Sequence, residues 1–371
     1  MKKALISAGL AALLAGCATQ VPAPPISRAT TKPDLSQLPP LVEEAERPPA
    51  PESVTDPALP LETRIDNFVA YAARDYGVEP QVVRDALAKA EMKQPILDAI
   101  SRPAEKVRSW ADYRPIFMTD ARIEGGRDFY LQHRDALERV SAATGVPAEY
   151  IVAIIGVETS YGRITGNYRV LDALYTLAFG YPKRAPFFGG ELAQLFALSK
   201  EEGFDIASLK GSYAGAMGWG QFMPSSYRLW GKDGDGDGVR DLLNDTDDIF
   251  ASIANYFVSF GWQRGGPVVA RAERGVGAQD LDAPLEPGYT LAQLAELGYT
   301  PRQGEPTVPA PQQATLVTLQ GADGREDWIG YRNFYVITRY NHSPMYAMAV
   351  HQVAQAIRQA VATRDGASGG A

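Results

Sequence analysis

Apolar residues fall at helical spacing as soon as the proline-rich front of the chain ends. Leu61, Ile65, Phe68, Val69, Ala72 and Tyr76 share one face, and Gly77 stands where a left-handed cap would close the helix. Val82, Val83, Ala86, Leu87 and Ala90 continue the period in a second helix, and a third is predicted from about Thr119 to Ala143. From Ile151 to Val157 the period vanishes because every position is apolar, the pattern of a helix enclosed on all sides. Between about 262 and 310 the chain turns rich in Gly and Pro, with one short helical piece from Leu291 to Leu297. Two runs of strand character follow, Ala314 to Leu319 and Trp328 to Thr338. The last helix is predicted from Pro344 to Ala362, with Ser343 as N-cap and Pro at the first helical position. No internal repeat is visible.

Composition narrows the chemistry. The 371 residues carry 36 Lys and Arg against 44 Asp and Glu, a net charge of −8. That balance gives no electrostatic footprint for nucleic acid, so no nucleic-acid partner is expected. One cysteine cannot form an internal disulfide, and His133, His342 and His351 offer no pair at metal-ligand spacing. The cysteine is informative by position. Met1-Lys2-Lys3 is a positive start, Ala4 to Gly16 is an apolar run of 13 residues, and Leu14-Ala15-Gly16-Cys17 matches the lipobox of bacterial lipoproteins. Residues 1–16 are therefore expected to be a lipoprotein signal peptide, and Cys17 the lipidated residue. Ala18, where Asp would retain such a protein at the inner membrane, points to an outer-membrane lipid anchor facing the periplasm. Residues 18–60 hold eleven prolines and no sustained period, so 17–60 is predicted to be the lipidated cysteine and a semi-rigid tether.

Glu158 closes the apolar helix and precedes Thr159-Ser160-Tyr161-Gly162. Burial and the negative end of the helix both disfavour its charged form, which suits a carboxylic acid that protonates a glycosidic oxygen. The same residue could merely pair with Arg163 at a helix end. A second segment, Ser212 to Pro224, sets three Gly and two Ala among aromatics and Gln221. Small residues let backbone approach a ligand, and aromatic faces suit sugars, although a tightly packed glycine turn would read the same way.

Together with Asn167 to Leu177, Tyr181-Pro182-Lys183-Arg184, Gly211 to Tyr227 and Arg339-Tyr340-Asn341-His342-Ser343, the motif Gly156-Val157-Glu158-Thr159 resembles the lytic murein transglycosylase B family over about residues 61 to 360. The resemblance implies a mainly α (α+β) fold with a lysozyme-like catalytic core, an N-terminal helical part, an EF-hand-like loop and a small β-containing subdomain. Its parts are expected at 61–145 (helical), 146–262 (core), 263–338 (small β-containing part) and 339–362 (returning helix), ahead of a flexible tail at 363–371. It further implies cleavage of the β-1,4 bond between N-acetylmuramic acid and N-acetylglucosamine without water, leaving 1,6-anhydromuramoyl ends on peptidoglycan glycan strands. Glu158 takes the place of the catalytic acid, Ser212 would orient it, and Gln221, Phe222, Tyr256, Tyr340 and Asn341 would line the sugar subsites. No organic cofactor is implied, and a monomer is expected. No second carboxylate is tied to this pocket in the sequence, so one carboxyl would serve as acid and then base. A hydrolysing muramidase of the same fold and a non-catalytic peptidoglycan-binding lipoprotein are the alternatives.

A third motif is metal-like. Asp233, Asp235 and Asp237 occupy positions 1, 3 and 5 of an EF-hand pattern, Gly238 position 6 and the Val239 carbonyl position 7, but position 12 is Asn244. Asp247 could close the loop at longer range, and the resemblance places structural Ca2+ on Asp233, Asp235, Asp237, Val239 and Asp247. His342 and His351 are expected to support packing of the last helix, and His133 to lie on an exposed helical face.

Overall fold

The computed structural model describes residues 48–101 and 108–368. Cys17, the expected signal peptide and most of the expected tether lie outside them. The end of that tether does not remain a spacer. The Ala50 amide donates to the Pro186 carbonyl, Val54 is fully buried, and helix α1 (Glu52–Thr55) packs on the body. The expected boundary at residue 60 therefore moves back to at least 48. The physical reason is that Ala50 and the Pro48 backbone fit against two glycines, Gly189 and Gly190, which proline counting cannot reveal.

Helices α2 (Leu61–Tyr76), α3 (Pro80–Leu87), α4 (Gln94–Ile100) and α5 (Trp110–Phe117) form the first part of the body. α2 ends as predicted at Gly77, whose φ of 62° is left-handed. The single helix expected over 119–143 is two, α6 (Asp120–Gln132) and α7 (Arg134–Thr144), broken at His133. No Pro marks the break. The His133 ring is instead drawn inward between Phe129 and Phe250, at centroid distances of 4.6 and 5.6 Å, so it is half-buried rather than exposed.

α8 (Ala148–Thr159) is the axis of the molecule, with Ile151 to Ile155 completely buried. α6, α7, α12 (Thr246–Ser259) and α15 (Pro344–Ser368) pack around it. Between α8 and α12 run a two-residue strand β1 (Tyr168–Arg169), α9 (Val170–Gly180), a 3₁₀ turn (Pro182–Arg184), α10 (Ala185–Glu202), β2 (Lys210–Gly211) and α11 (Pro224–Trp230). β1 and β2 pair antiparallel. α15 starts at its predicted cap, where the Ser343 hydroxyl accepts from the Tyr346 amide. It runs to Ser368, beyond the expected end at 362, so most of the expected flexible tail is helical.

A four-stranded antiparallel sheet in the order β4-β3-β6-β5 forms the small subdomain, from β3 (Val269–Arg274), β4 (Tyr299–Pro301), β5 (Thr315–Gly321) and β6 (Gly324–Gly330), with α13 (Leu291–Glu296) beside it. Side-chain alternation divides β5 between two cores: Val317 and Leu319 join the helical body, while Leu316 packs with Ile329, Leu294 and Tyr299. The predicted run from Trp328 to Thr338 is strand only as far as Gly330, and α14 (Arg332–Tyr340) follows. Tyr, Phe, Val and Ile there satisfied a strand pattern. They are buried at helical spacing, with Phe334, Val336 and Ile337 in the main core, so the return to the helical body begins before the expected residue 339. The fold is thus mainly helical with one small antiparallel sheet.

His351 supports the packing as expected. Its Nδ1 lies 2.8 Å from the Tyr150 hydroxyl, which also accepts at 3.3 Å from Gln355. Burial, with a smaller contribution from Arg358, lowers the His351 pKa from 6.5 to about 4. Between those values the unfolded chain binds a proton that the folded chain does not, so stability rises with pH across that window. Urea unfolding should show the protein losing about 2 to 3 kcal/mol from this group between pH 7 and pH 4, and His351→Gln, which keeps an acceptor for Tyr150, should flatten that slope.

Candidate active site

Two turns build the site. α8 stops after Thr159 because the next three residues are all left-handed, with φ of 51° at Ser160, 65° at Tyr161 and 77° at Gly162. The only other non-glycine residue with positive φ among the described residues is Gln221, at 52°. All three strained side-chain-bearing positions therefore lie on two turns, and those turns touch. The Thr159 hydroxyl is 2.9 Å from the Trp219 carbonyl and accepts from the Gly162 amide at 3.0 Å. Gly162 is required twice over, since a Cβ there would also lie 2.6 Å from the Trp219 ring. Gly166 allows backbone to meet backbone: a Cβ would come within 2.0 Å of the Gly211 carbonyl oxygen. Each left-handed non-glycine residue costs about 1 to 2 kcal/mol, so this arrangement persists only because packing fixes it.

Glu158, at the end of α8, and the turn of Gln221 form one side of a cleft of about 640 Å³. Glu158, Ser212, Gln221, Phe222, Tyr256, Tyr340 and Asn341, all expected from the sequence, line it. Among the described residues Glu158 is the sole carboxylate on the wall. Its Oε1 accepts a 2.6 Å hydrogen bond from the hydroxyl of Tyr346, in the first turn of α15. Burial and the adjacent Glu158 charge push the Tyr346 hydroxyl well above its usual range, so it remains a donor. Tyr340 is raised in the same way and donates to the Gly220 carbonyl at 2.6 Å. Tyr256 donates to the Arg339 carbonyl. Phe222 meets Tyr256 and Tyr340 edge-on, with centroids 6.0 and 5.9 Å away. These aromatics are thus a braced wall whose phenols are already engaged with backbone.

Ser212 accepts from the Ala214 and Ala216 amides at 3.3 and 3.1 Å, which uses its lone pairs and leaves it a proton to donate. The Gln221 amide nitrogen is held by the Thr165 and Gly218 carbonyls at 3.1 and 3.0 Å. Sequence reasoning missed Tyr346, Phe187, Phe188, Arg184 and Arg339. Four of them line the cleft, and the guanidinium of Arg184 stacks 4.2 Å over the Phe187 ring. His342 lines the cleft as well, which corrects its expected packing role: it follows Asn341 at the exposed end of α14.

The acidic loop lies apart from the cleft. Asp233, Asp235 and Asp237 are on one loop whose backbone amides they accept: Asp233 takes Gly236 and Gly238, Asp235 takes Asp237, and Asp237 takes Val239. Carboxylate oxygens of Asp233, Asp235 and Asp248 lie within 4.8 Å of one another. Asp247, the expected closing ligand, is turned to Arg139 at 2.8 Å. Asp248 takes the cluster position, with its oxygens on the Gly234 and Asp241 amides at 2.6 Å each, and burial pushes it up to about 7. Such hard oxygen donors suit Ca2+.

The family model described as "Transglycosylase SLT domain" matches residues 61–355. The chain is 41% identical over 299 residues to membrane-bound lytic murein transglycosylase B of Escherichia coli (strain K12), covering 78% of this chain and 81% of the relative. It is similar to the crystal structure of soluble lytic transglycosylase SltB1 from Pseudomonas aeruginosa, with a TM-score of 0.74, 46% identity and coverage of 80% and 99% of the two chains. The Escherichia coli lytic transglycosylase Slt35, solved in complex with calcium, matches with a TM-score of 0.73 and 41% identity over 80% of this chain and 93% of that one.

Replacing Ser160 by Gly removes one left-handed penalty at some cost in unfolded-state entropy. Ser160→Gly should therefore unfold in urea with about 1 kcal/mol more stability than the wild type. A lower midpoint would mean that the Ser160 side chain, not its backbone, governs the turn.

Proposed function

The chain belongs to the lytic murein transglycosylase B family and is a peptidoglycan lytic transglycosylase, and we propose that Glu158 is its single catalytic acid and base. What carries this reading is that Glu158 is the sole carboxylate on the cleft wall among the described residues. A hydrolase of the ordinary kind needs a second carboxylate, to act as nucleophile or to activate water.

Tyr346 donates to Oε1 of Glu158 and so fixes the orientation of the carboxyl that carries the proton. Glu158 gives it to the oxygen between N-acetylmuramic acid and N-acetylglucosamine as the C1–O bond breaks. The C6 hydroxyl of the muramoyl residue then attacks C1 and returns its proton to Glu158. One C–O bond is lost and one formed, no water is consumed, and the 1,6-anhydro end results. Intramolecular attack benefits from a high effective molarity. Ser212 orients the carboxyl as a donor, and Phe222, Tyr256 and Tyr340 shape the wall against which the sugars lie, with Gln221 and Asn341 supplying polar contacts.

The loop is read as a structural calcium site held by Asp233, Asp235, Asp237 and the Val239 carbonyl, closed from the start of α12 by Asp247 or its neighbour Asp248. The ion would offset the mutual repulsion of these carboxylates, away from proton transfer. Slt35 with calcium supports this. Attachment is assigned to a lipidated Cys17, on the lipobox Leu14-Ala15-Gly16-Cys17. That places the enzyme, as a monomer, on the outer membrane facing the periplasmic murein, a proposal that the membrane-bound relative supports.

Mass spectrometry of peptidoglycan digested by the wild type should show anhydromuramoyl ends, and Glu158→Gln should lower muropeptide release at least about 100-fold. Reducing muramic acid ends would sink the reading. Separately, calcium should raise the thermal midpoint and chelator lower it, by about 2.7 kcal/mol of stability at a hundredfold excess over the dissociation constant. The pair Asp233→Asn and Asp235→Asn should abolish that response.

A further inference from the structure

We propose that Tyr161 is the positioning residue that aims the Glu158 carboxyl into the cleft. The inference rests on Glu158 being the acid, and it concerns a residue that does not line the cleft. Helix α6 carries two consecutive glycines, Gly125 and Gly126, in its interior, where glycine weakens a helix. Gly125 leaves room for the Tyr161 ring, and Gly126 leaves room both for the Tyr161 hydroxyl and, equally close, for Ile357 of α15. A Cβ on Gly126 would lie 2.5 Å from the Tyr161 hydroxyl oxygen, and one on Gly125 3.2 Å from the ring. On the other side, a Cβ on Gly156 of α8 would lie 2.8 Å from both the ring and its hydroxyl. The ring is therefore seated in a socket made by two helices, and Phe129 stacks beside it with centroids 5.6 Å apart.

Polar contacts lock the wedge. The Tyr161 hydroxyl donates to the Arg122 carbonyl at 2.6 Å, and the Arg122 guanidinium donates to the Gly156 carbonyl, in the last turn of α8. Burial pushes that hydroxyl up to about 12, so it stays a donor. The Tyr161 amide meanwhile closes the helix end on the Ile155 carbonyl at 3.2 Å. Released from the socket, Ser160 and Tyr161 would return to the right-handed region that side chains prefer. The Thr159 contact to Trp219 would then go, and the turn that carries Glu158 would lose its anchor.

Kinetics on soluble N-acetylglucosamine–N-acetylmuramic acid oligosaccharides test this, with circular dichroism confirming the fold of each variant. Tyr161→Leu should lower kcat about 100-fold with KM within about twofold, and move the pH profile of kcat. Tyr161→Phe, which keeps the ring, should recover kcat to within about threefold of wild type. Gly156→Ala pushes the same ring from α8 while adding a better helix former. It should lower kcat about 10-fold alone and less than about twofold in the Tyr161→Leu background. A folded Tyr161→Leu or Gly156→Ala with wild-type kcat and pH profile would overturn the proposal, as would an equal Gly156→Ala loss in both backgrounds. Turnover by Glu158→Gln would instead overturn the acid assignment beneath it.

Discussion

Helix α8 has no polar side chain between Tyr150 and Glu158, so it is stable only where other helices cover its whole circumference. α6, α7, α12 and α15 supply that cover, and they come from residues 120 to 368, most of the catalytic region. A helix so enclosed cannot tilt or slide to relieve a change at its end. Whatever sits at that end inherits the rigidity of the whole packing, and the residue there is Glu158. Burial of Ile151 to Ile155 is thus the source of the precision with which one carboxyl faces the cleft.

The strain at the end of α8 fits that constraint. Ser160 and Tyr161 adopt left-handed conformations whose cost is recovered from packing elsewhere, and Gln221 repeats the device on the facing turn. The bond between Thr159 and the Trp219 carbonyl joins the two. One side of the cleft therefore rests on two stiff turns joined behind it. Its aromatic wall is equally prearranged, since Tyr256 and Tyr340 spend their hydroxyls on the Arg339 and Gly220 carbonyls. If sugars lie against this wall, as proposed, they meet a surface that need not reorganise, which lowers the entropic cost of holding a polymer in a reactive geometry.

How much was legible in the sequence follows from how local each signal is. The cap at Gly77, the start of α15 at Ser343 and Pro344, and the enclosed run before Glu158 depend on neighbours within one or two turns, and all were found. The β-branched and aromatic residues from Trp328 to Thr338 carry a strand pattern through α14; only its burial between the sheet and α15 makes it a helix. β3 lay unnoticed in a Gly- and Pro-rich stretch because its partners β4 and β6 are nearly 30 and 60 residues away. The acidic loop was visible, but whether Asp247 or Asp248 faces it turns on Arg139, over 100 residues distant. Tyr346 had no local mark at all, as its role exists only where α15 crosses the end of α8.

A single carboxyl also gives a reason for the tyrosine that donates to it. A Lys or Arg at the Tyr346 position would hold Glu158 ionised through a full charge and hinder it from carrying a proton. A second acid would oppose ionisation and also offer a base for water. The neutral phenol of Tyr346 fixes one oxygen by a hydrogen bond, adds no charge, and stays protonated because burial and Glu158 itself raise it. On the proposed mechanism, Glu158 gives a proton in the first half of the reaction and takes one in the second, with this hydrogen bond holding its orientation between them. A carboxyl that must do both gains from a partner that favours the charged form less than a full cation would, and a buried tyrosine meets that requirement.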